Sequence, residues 1–384
     1  MRRSSSWWVV VASSALTAAA TATPPTYRVE VIGTGLTGFA MNEQGDAVGR
    51  HVNAQQVGRA FLARRGGVVE ILPLPAPWQS SDAYAISNEG LIVGAVSSGT
   101  IASIGSKAAA WRPTKGGYVL ELLAAYPGDQ YSTATGVNDH GDVVGGSGGI
   151  GLGMYSRAVL FQQGPAMLLP NISLPAGVTN ERKVAAWNVI LDLDDMSETT
   201  IPLPPGNWQG VTTTDIAESG AICGQILGFS GCSNFPVRHR PGVGWEFVGG
   251  CATTTSATAI NSQGDVLAYV VNGGNWVAFV GEPNLSISSL IAADQGSWMV
   301  MGGSDINDAR MILASARPGP SFSVTQLVRL VPIVGPDLNR DGKVDGIDLA
   351  MLLAGWGTAD GDLDADGVVT GTDLAMMLAA WTVR

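Results

Sequence analysis

Two stretches of the chain, ATGVNDHGDVVGG (134–146) and ATAINSQGDVLAY (257–269), share one order of small, apolar and turn-forming residues. The same pattern occurs seven times, with turns that begin at Asn42, Ser87, Asn138, Thr179, Ala217, Asn261 and Asn307. Successive turns lie between 38 and 51 residues apart. A period of this length is typical of proteins built from repeated supersecondary units. The body of the chain is therefore predicted to consist of seven similar units.

Each unit is predicted to contain a β-hairpin. An apolar residue precedes every turn, and an Asn or Ser at the first turn position bonds back to the backbone. A glycine three residues later tolerates the left-handed conformation, and five copies carry it: Gly45, Gly90, Gly141, Gly220 and Gly264. Arg182 and Arg310 take its place in the other two copies. We expect those two turns to be strained or to change type.

The returning strand of each hairpin carries a small residue after two apolar residues. The seven small residues are Gly49, Gly94, Gly145, Ala186, Gly224, Ala268 and Ala314. Such a series indicates a crowded place where one backbone approaches another.

A second pair of strands is predicted to complete each unit. RAFLA (59–63) with VVEILPL (68–74) is one such pair, and SISSLIA (286–292) is predicted to be the last strand of its unit. Four strands in roughly 45 residues, repeated seven times, predict an all-β fold, a seven-bladed β-propeller. A β-sandwich with chance similarity and a β-solenoid are the alternatives.

The units resemble the HAF repeat of bacterial extracellular proteins, which has an A-x-x-I-N-x-x-G-x-V-V-G core followed by an H-A-F-L-W strand. The resemblance covers residues 27–330, and the chain departs from it at the histidine, where Arg59, Lys107 and Arg157 stand. It implies an exported repeat protein and no particular reaction.

The two ends of the repeat region bear on how the ring closes. Both YRVEVIG (27–33) and SFSVTQLVRL (321–330) look like the final strand of a unit, which makes eight such strands for seven units. We expect one of them to pair across the seam of the ring and to hide an edge that would otherwise template aggregation.

Two acidic loops near the C-terminus, DLNRDGKVDGID (337–348) and DLDADGVVTGTD (362–373), repeat one pattern of oxygen-bearing residues. Oxygens at loop positions 1, 3, 5, 7, 9 and 12 with glycine at position 6 are typical of an EF-type calcium loop. The predicted ligands are Asp337, Asn339, Asp341, the Lys343 carbonyl, Asp345 and Asp348, then Asp362, Asp364, Asp366, the Val368 carbonyl, Thr370 and Asp373. The pattern predicts two Ca²⁺ ions, and a solvated acidic surface is the alternative.

An apolar helix is predicted after each loop, at LAMLLAGW (349–356) and LAMMLAAW (374–381). The prolines of VPIVGP (331–336) disfavour a helix before the first loop. This duplicated loop-and-helix arrangement resembles a type I dockerin. The resemblance implies a small α-helical domain that folds with calcium and docks onto a cohesin on a scaffold or surface.

The chain departs from cellulosomal dockerins at positions that influence the choice of partner. Gly346-Ile347 and Gly371-Thr372 stand at loop positions 10 and 11, and neither predicted helix contains Lys or Arg. We therefore expect a cohesin-like or another surface or scaffold protein as partner. The apolar helix surface could also pack on its twin or meet the propeller.

The N-terminus, MRRSSSWWVVVASSALTAAATATPP, has the outline of a signal peptide. Arg2 and Arg3 precede an apolar run, and Ala20-Thr21-Ala22 offers a cleavage site. The run is too short for a transmembrane anchor, and no later segment could span a bilayer. A secreted or cell-surface protein is expected.

Composition excludes some partners. The net charge is −11, and nine of the Asp residues lie in 337–373. An acidic chain without a basic patch argues against nucleic acid as a partner. Export permits a disulfide, and among Cys223, Cys232 and Cys251 we expect the pair Cys223–Cys232.

Catalytic signals are sparse. No nucleophile-elbow, zinc-protease or phosphate-loop motif occurs, and His51, His140 and His239 have no partner at a catalytic spacing. Asp215 and Asp305 stand just before the turn at positions where the other units have Ala or Gly. Paired carboxylates perform glycoside hydrolysis at suitable separation, whereas polarity of a central channel or capping of a turn is the alternative.

The predicted organisation is a signal peptide (1–22), the propeller (23–330), a linker (331–336) and the dockerin (337–384). The favoured function is an exported, non-catalytic binding protein that is attached through the calcium-dependent module, with a glycan as a possible ligand of the propeller. One alternative is a polysaccharide-degrading hydrolase of O-glycosyl bonds, or an accessory protein, that carries a dockerin. The other is a structural cell-surface assembly protein.

Overall fold

A computed structural model of the chain describes residues 24–99, 106–149, 153–172, 174–228, 234–249, 255–270, 274–282, 284–319, 324–333, 335–338, 343–358, 361–364 and 367–382. The predicted signal peptide lies outside them. Within these ranges the chain forms seven four-stranded antiparallel sheets. The body is thus a seven-bladed β-propeller, as the repeats predict.

The strands follow each other in chain order from the axis outward in blades one to six. After a first strand β1 (Tyr27–Thr34), blade one has β2 (Leu36–Met41), β3 (Ala47–Val52), β4 (Gly58–Ala63) and β5 (Val69–Ile71). Blade two has β6 (Ser80–Ile86), β7 (Ile92–Ser97), β8 (Lys107–Thr114) and β9 (Gly117–Leu122). Blade three has β10 (Tyr131–Val137), β11 (Val143–Gly149), β12 (Gly153–Phe161) and β13 (Met167–Leu168).

The next three blades repeat this order with some shorter strands. Blade four has β14 (Gly177–Val178), β15 (Lys183–Ala186), β16 (Val189–Asp192) and β17 (Glu198–Thr200). Blade five has β18 (Trp208–Ile216), β19 (Ile222–Gly228), β20 (Asn234–Arg240) and β21 (Gly244–Phe247). Blade six has β22 (Thr255–Ile260), β23 (Val266–Val270), β24 (Gly274–Ala278) and β25 (Leu285–Ser286).

Blade seven contains both ends of the repeat region. Its chain-order strands are β26 (Trp298–Ile306), β27 (Ile312–Pro318) and β28 (Gln326–Pro332), and β1 pairs antiparallel with β28 as the fourth strand. The predicted pairing across the seam is confirmed. However, β28 is the third strand of its blade and not a final strand, because β1 takes the outermost place.

One predicted strand was wrong in part. In SISSLIA (286–292) only Ser286 belongs to β25, and Ile287–Leu290 form a 3₁₀ helix that is followed by a second one at Ala293–Gln295. Ile287 and Leu290 are buried. The apolar run therefore packs on blade seven as a short helix.

The repeated turns have the predicted chemistry. The Asn42 side chain accepts a hydrogen bond from the Asp46 amide at 2.8 Å, and the Gly45 amide donates to the Asn42 carbonyl at 3.0 Å. The five turn glycines have φ between 74° and 87°. Arg182 and Arg310 adopt the same left-handed conformation with φ of 59° and 61°, so these turns keep their type.

Ion pairs to the preceding blade accompany both arginine turns. Arg182 Nη1 contacts Asp142 Oδ1 at 2.5 Å, and Arg310 Nε contacts the fully buried Asp265 at 2.7 Å. The arginine that replaces a turn glycine therefore gains a contact that glycine cannot make, which offsets part of the backbone strain.

The crowding predicted on the returning strand is confirmed. A Cβ atom on Gly49, Gly94, Gly145 or Gly224 would lie within about 2.0 Å of a carbonyl oxygen of the innermost strand. The innermost strand bulges at this level, for example between Gly38 and Ala40 opposite Gly49. A bulge interrupts the regular pairing and bends the strand locally, and glycine fits where another backbone comes this close.

The hydrophobic core lies between neighbouring blades. One cluster joins Val48 and Leu62 of blade one to Ile92 and Trp111 of blade two. Another joins Tyr27 of β1 to blade six and blade seven through Val277 and Val328, among others. In both clusters, neighbouring blades bury their faces against each other.

The tail contains two helices, α1 (Gly346–Ala354) and α2 (Gly371–Ala379). Both begin three residues before the predicted apolar runs, inside the acidic loops, and β28 ends before them at Pro332. No helix in the part of the chain that the structure describes is long and apolar enough to cross a membrane.

Cys223 lies in β19 as a buried, free thiol, which corrects the expected Cys223–Cys232 disulfide. Cys232 and Cys251 lie outside the described residues.

Candidate functional site

A cavity of about 380 Å³ lies on the axis of the ring and is lined by inner strands and turns of all seven blades. Six carboxylates line it: Glu43, Asp139, Asp215, Glu218, Asp305 and Asp308. Neither Lys nor Arg nor His occurs among the described residues that line it. The channel is therefore strongly acidic.

The mouth of the channel is encircled by a ring that we call the turn belt. It consists of the second residue of each turn: Glu43, Asn88, Asp139, Asn180, Glu218, Ser262 and Asp308. The backbone amide of each residue donates to the side chain of the corresponding residue in the next blade, at 2.6 to 3.0 Å in six of seven cases. The seventh pair of neighbouring residues in the turn belt is Glu218 and Ser262, and the Ser262 hydroxyl is buried without a hydrogen-bond partner.

A second set of contacts joins the blades just below the turn belt. The Asn138 amide group donates to the Thr179 carbonyl at 2.9 Å, and the Asn307 amide group donates to the Asn42 carbonyl at 3.1 Å across the seam. The turn asparagines therefore connect neighbouring blades in addition to closing their own turns.

Asp215 and Asp305 face the channel, and each also joins two blades. Asp215 accepts hydrogen bonds from the amide of Ile216 at 2.8 Å and from the amide of Ile260 in blade six at 2.9 Å. Asp305 accepts from the amide of Ile306 at 2.8 Å and from the amide of Met41 in blade one at 2.7 Å. Both oxygens of each carboxylate are thus engaged by backbone donors.

Burial changes the protonation of the channel carboxyls. Burial, and secondarily the charge of Asp305, raise the pKa of Asp215 to about 8. Burial raises the pKa of Asp305 to about 6 and that of Glu43 to about 7, the latter with a contribution from Asp308. Asp215, Asp305 and Glu43 are therefore carboxyl groups that can carry a proton near neutral pH, and backbone amides hold them in place at the edges of the blades.

The histidines lie away from this cavity. His51 is in β3 and His140 is exposed in a turn, whereas the His239 ring in β20 makes an edge-to-face contact with Trp245 at 5.1 Å between centroids. Burial lowers the pKa of His239.

In the tail, the second acidic loop brings three predicted calcium ligands together. Oxygens of Asp362, Asp364 and Asp373 lie within 4.8 Å of one another, and Asp362 and Asp373 are buried. A set of carboxylate oxygens at this spacing suits a hard divalent cation. The Thr370 hydroxyl lies 3.4 Å from Asp373 Oδ2, and the Gly367 amide donates to Asp362 Oδ2 at 2.7 Å. Val368 is described as well, whereas Asp366 lies outside the described residues.

Asp373 is held in place by the loop backbone. Its Oδ1 accepts from the amides of Leu363 and Asp364, at 2.7 and 3.1 Å, and its Oδ2 accepts from the amide of Thr370 at 2.7 Å. Burial by itself would raise the pKa of Asp373, but these amides hold it below its ordinary value.

The last two ligand positions of each loop also cap a helix. Asp345 with Asp348, and Thr370 with Asp373, form capping boxes at the first turns of α1 and α2. In the first loop Asp348 is fully buried and Asp337, Lys343 and Asp345 are described, whereas Asn339 and Asp341 are not.

The two loop-and-helix units pack as equivalent partners. Val369 of the second loop bonds to Gly357 and Thr358 after α1, and Val344 of the first loop bonds to Thr382 after α2. Their shared core is Val344, Leu352, Leu363, Val369 and Met377. Several apolar side chains stay exposed on the helices: Ile347, Met351, Leu353, Met376 and Leu378.

Comparisons with known proteins find only remote likenesses. No family model and no curated protein matches the chain, so the HAF and dockerin resemblances remain predictions. Similar solved structures include the extracellular domain of a one-component system from B. thetaiotaomicron, with 11% identity over 81% of this chain and 40% of that chain and a TM-score of 0.45. Streptogramin B lyase is 12% identical over 80% of this chain and 98% of that chain, with a TM-score of 0.42. The chain spans less than half of the first protein, and likenesses this remote carry no argument about function.

Sequence reasoning missed the turn belt. Its signal was present, because six of the seven repeats carry Asp, Glu or Asn at the second turn position. The type of residue was visible there, but its contact with the next blade was not.

Proposed function

We propose that the chain is an exported binding protein whose propeller is attached to a surface or scaffold protein by a C-terminal module that folds around two calcium ions. The observation that carries the proposal is the cluster of Asp362, Asp364 and Asp373 oxygens at the start of α2. The second loop would hold one ion with these three carboxylates, and the first would hold another with Asp337, Asp345 and Asp348.

Calcium would supply the charge that these loops need. Three carboxylates within 4.8 Å of one another, two of them buried, repel when ionised, and a divalent cation removes that repulsion. The core of the module contains only a few buried side chains, so ion binding adds stability that so small a core cannot provide.

The exposed apolar side chains of α1 and α2 support a role in attachment. Ile347, Met351 and Leu353 on α1 and Met376 and Leu378 on α2 are each at least 43% exposed. Apolar side chains grouped on two helices are typical of a protein-binding surface. This chemistry fits a partner with an apolar patch and does not require basic residues.

The hydrogen bonds of the channel carboxyl groups favour a binding or scaffolding function over glycoside hydrolysis. A glycosidase needs one carboxyl free to give a proton and another free to attack or to activate water. All four oxygens of Asp215 and Asp305 instead accept backbone amides, and one oxygen of each bonds to the adjacent blade.

The proposal is tested by calcium titration of the full chain in a calorimeter. We expect two ions to bind, with dissociation constants on the order of 10⁻⁴–10⁻³ M as in other extracellular modules. Asp348→Asn should remove uptake by the first loop and Asp373→Asn uptake by the second. Asp294→Asn, an exposed carboxylate outside the tail, should keep both. Absence of calcium heat, with a far-ultraviolet circular dichroism spectrum unchanged by chelator, would refute the proposal.

The same proteins test attachment. Secreted proteins captured with calcium should be released by chelator, and Met351→Lys should lose them while calcium uptake stays normal. Equal capture with and without calcium would argue against calcium-dependent docking.

A further inference from the structure

Three arginines meet at the seam of the ring, and we call them the seam arginines. Arg28 is on β1, Arg329 is on β28, and Arg65 follows β4 of blade one. The cluster thus bridges the last and first blades. It lines a cavity of about 430 Å³ together with Glu30.

Glu30 is the carboxylate that the three arginines share. Arg28 Nη2 and Arg329 Nη1 each lie 2.9 Å from a Glu30 oxygen, and Arg65 Nε lies 3.7 Å from Glu30 Oε1. A second carboxylate, Asp46, accepts a hydrogen bond from the Arg65 amide at 3.0 Å and its charge also acts on Arg329. Three positive charges thus face two negative ones. The Arg65 and Arg329 side chains are only 13% and 3% exposed, so water screens the excess poorly. The cluster therefore favours a further anion.

The second acidic loop of the tail supplies that anion. Arg65 Nη2 lies 3.7 Å from Asp362 Oδ2, and Arg28 Nη1 donates to the Asp364 carbonyl at 3.3 Å. The Asp362 side chain is only 5% exposed. Asp362 is also the first predicted calcium ligand of this loop.

We propose that the seam arginines are a docking site for the calcium-free second loop, and that Arg65 and Ca²⁺ compete for Asp362. The inference rests on the proposed function. A guanidinium and a dication that share one buried carboxylate repel each other. By linkage, docking weakens calcium binding by the same factor by which calcium weakens docking. Calcium uptake would release the loop from the ring.

The test compares two neighbouring arginines in the full chain. Arg64 lies beside Arg65 in sequence but is 52% exposed and pairs with Glu70 at 3.3 Å. Calorimetric titration with CaCl₂ should show that Arg65→Gln tightens the second site about tenfold, within the usual range of coupling. Arg64→Gln should leave it unchanged, and Arg65→Lys, which keeps the charge, should stay close to wild type.

Hydrogen exchange provides a second readout. In wild-type protein, calcium should increase amide hydrogen exchange in the segment around Arg65. The Arg65→Gln variant should show the same increased exchange in the absence of calcium. Should Arg65→Gln not fold, Arg28→Gln tests the same contact through the Asp364 carbonyl and should tighten calcium binding less.

The outcomes separate the two proposals. Calcium uptake with equal affinity in Arg65→Gln and Arg64→Gln would overturn the competition and leave the proposed function standing. Absence of uptake in every variant would overturn both.

Discussion

At the scale of residues, two of the innermost strands carry a carboxylate where the other repeats have a small side chain, and this carboxylate connects neighbouring blades. Five repeats have Ala or Gly where Asp215 and Asp305 stand in the other two. Each Asp spans to the amide of the following blade, to Ile260 or to Met41. A hydrogen bond to a partly buried carboxyl group such as these contributes roughly 0.5–3 kcal/mol net, depending on whether the group is charged. These two residues therefore strengthen two of the seven contacts between blades.

Asp215 should make stability depend on pH. Its pKa is raised from 3.8 to about 8 in the folded protein, so the neutral form contributes stability that is fully present below about pH 4, near the unfolded pKa. That contribution is lost as the pH rises through about 8. As the pH rises from about 4 to about 8, the free energy of unfolding should fall further for wild type than for Asp215→Asn. The difference should be at least about 1.4 kcal/mol, the free energy that corresponds to one pKa unit.

Urea unfolding followed by tryptophan fluorescence at pH 4.5, 6 and 8.5 checks this expectation. Asp294→Asn, an exposed carboxylate, is the control and should follow the wild-type pH dependence. Parallel curves for Asp215→Asn and wild type would show that Asp215 does not titrate in this range.

At the scale of elements, β1 has a role that exceeds its place in the sequence. It precedes the first repeat in the chain and completes the last blade by pairing with β28. Tyr27 is fully buried in the core that β1 shares with blades six and seven. The strand also covers the edge of β28, which would otherwise be open to another chain.

Tyr27→Ala should therefore destabilise the ring by about 3–5 kcal/mol, the usual result of truncating a buried aromatic side chain. Val31→Ala on the same strand is the control, because Val31 is 54% exposed, and it should change stability by less than about 0.5 kcal/mol. Urea unfolding measures the difference. Size-exclusion chromatography should show more oligomer for Tyr27→Ala, whereas equal stability of the two variants would mean that β1 is not part of the cooperative core.

At the scale of the whole molecule, the ring closes by contacts that repeat around the axis. The turn belt connects six of its seven steps directly. The weak step lies between Glu218 and Ser262, where serine stands at a position that has a longer acceptor in every other repeat.

Ser262→Asn should complete the turn belt and stabilise the protein by about 0.5–1.5 kcal/mol, the net value of one hydrogen bond. Asparagine suits the step better than aspartate, because four carboxylates already line the mouth. The reverse change, Asn88→Ser, should open a second gap and destabilise by a similar amount. Guanidinium unfolding compares the three proteins, and no gain for Ser262→Asn would show that the missing link costs nothing.

The sequence by itself determined the number of blades, the sites of the turns and the two loop-and-helix units of the tail. These features depend on the period of the repeats and on chemistry within a few residues, such as an asparagine that closes its own turn or a capping box at Thr370 and Asp373. Such local preferences act wherever the segment lies.

Only the tertiary structure decided what each polar side chain contacts. Asp215 bonds to a residue 45 positions away, Asn307 reaches Asn42 across the seam, and Arg28 meets Asp364 at the other end of the chain. The same closure placed β1 in the last blade and turned SISSLIA partly into a helix. Contacts of this kind depend on how the ring closes in space, because residues far apart in the chain become neighbours only then.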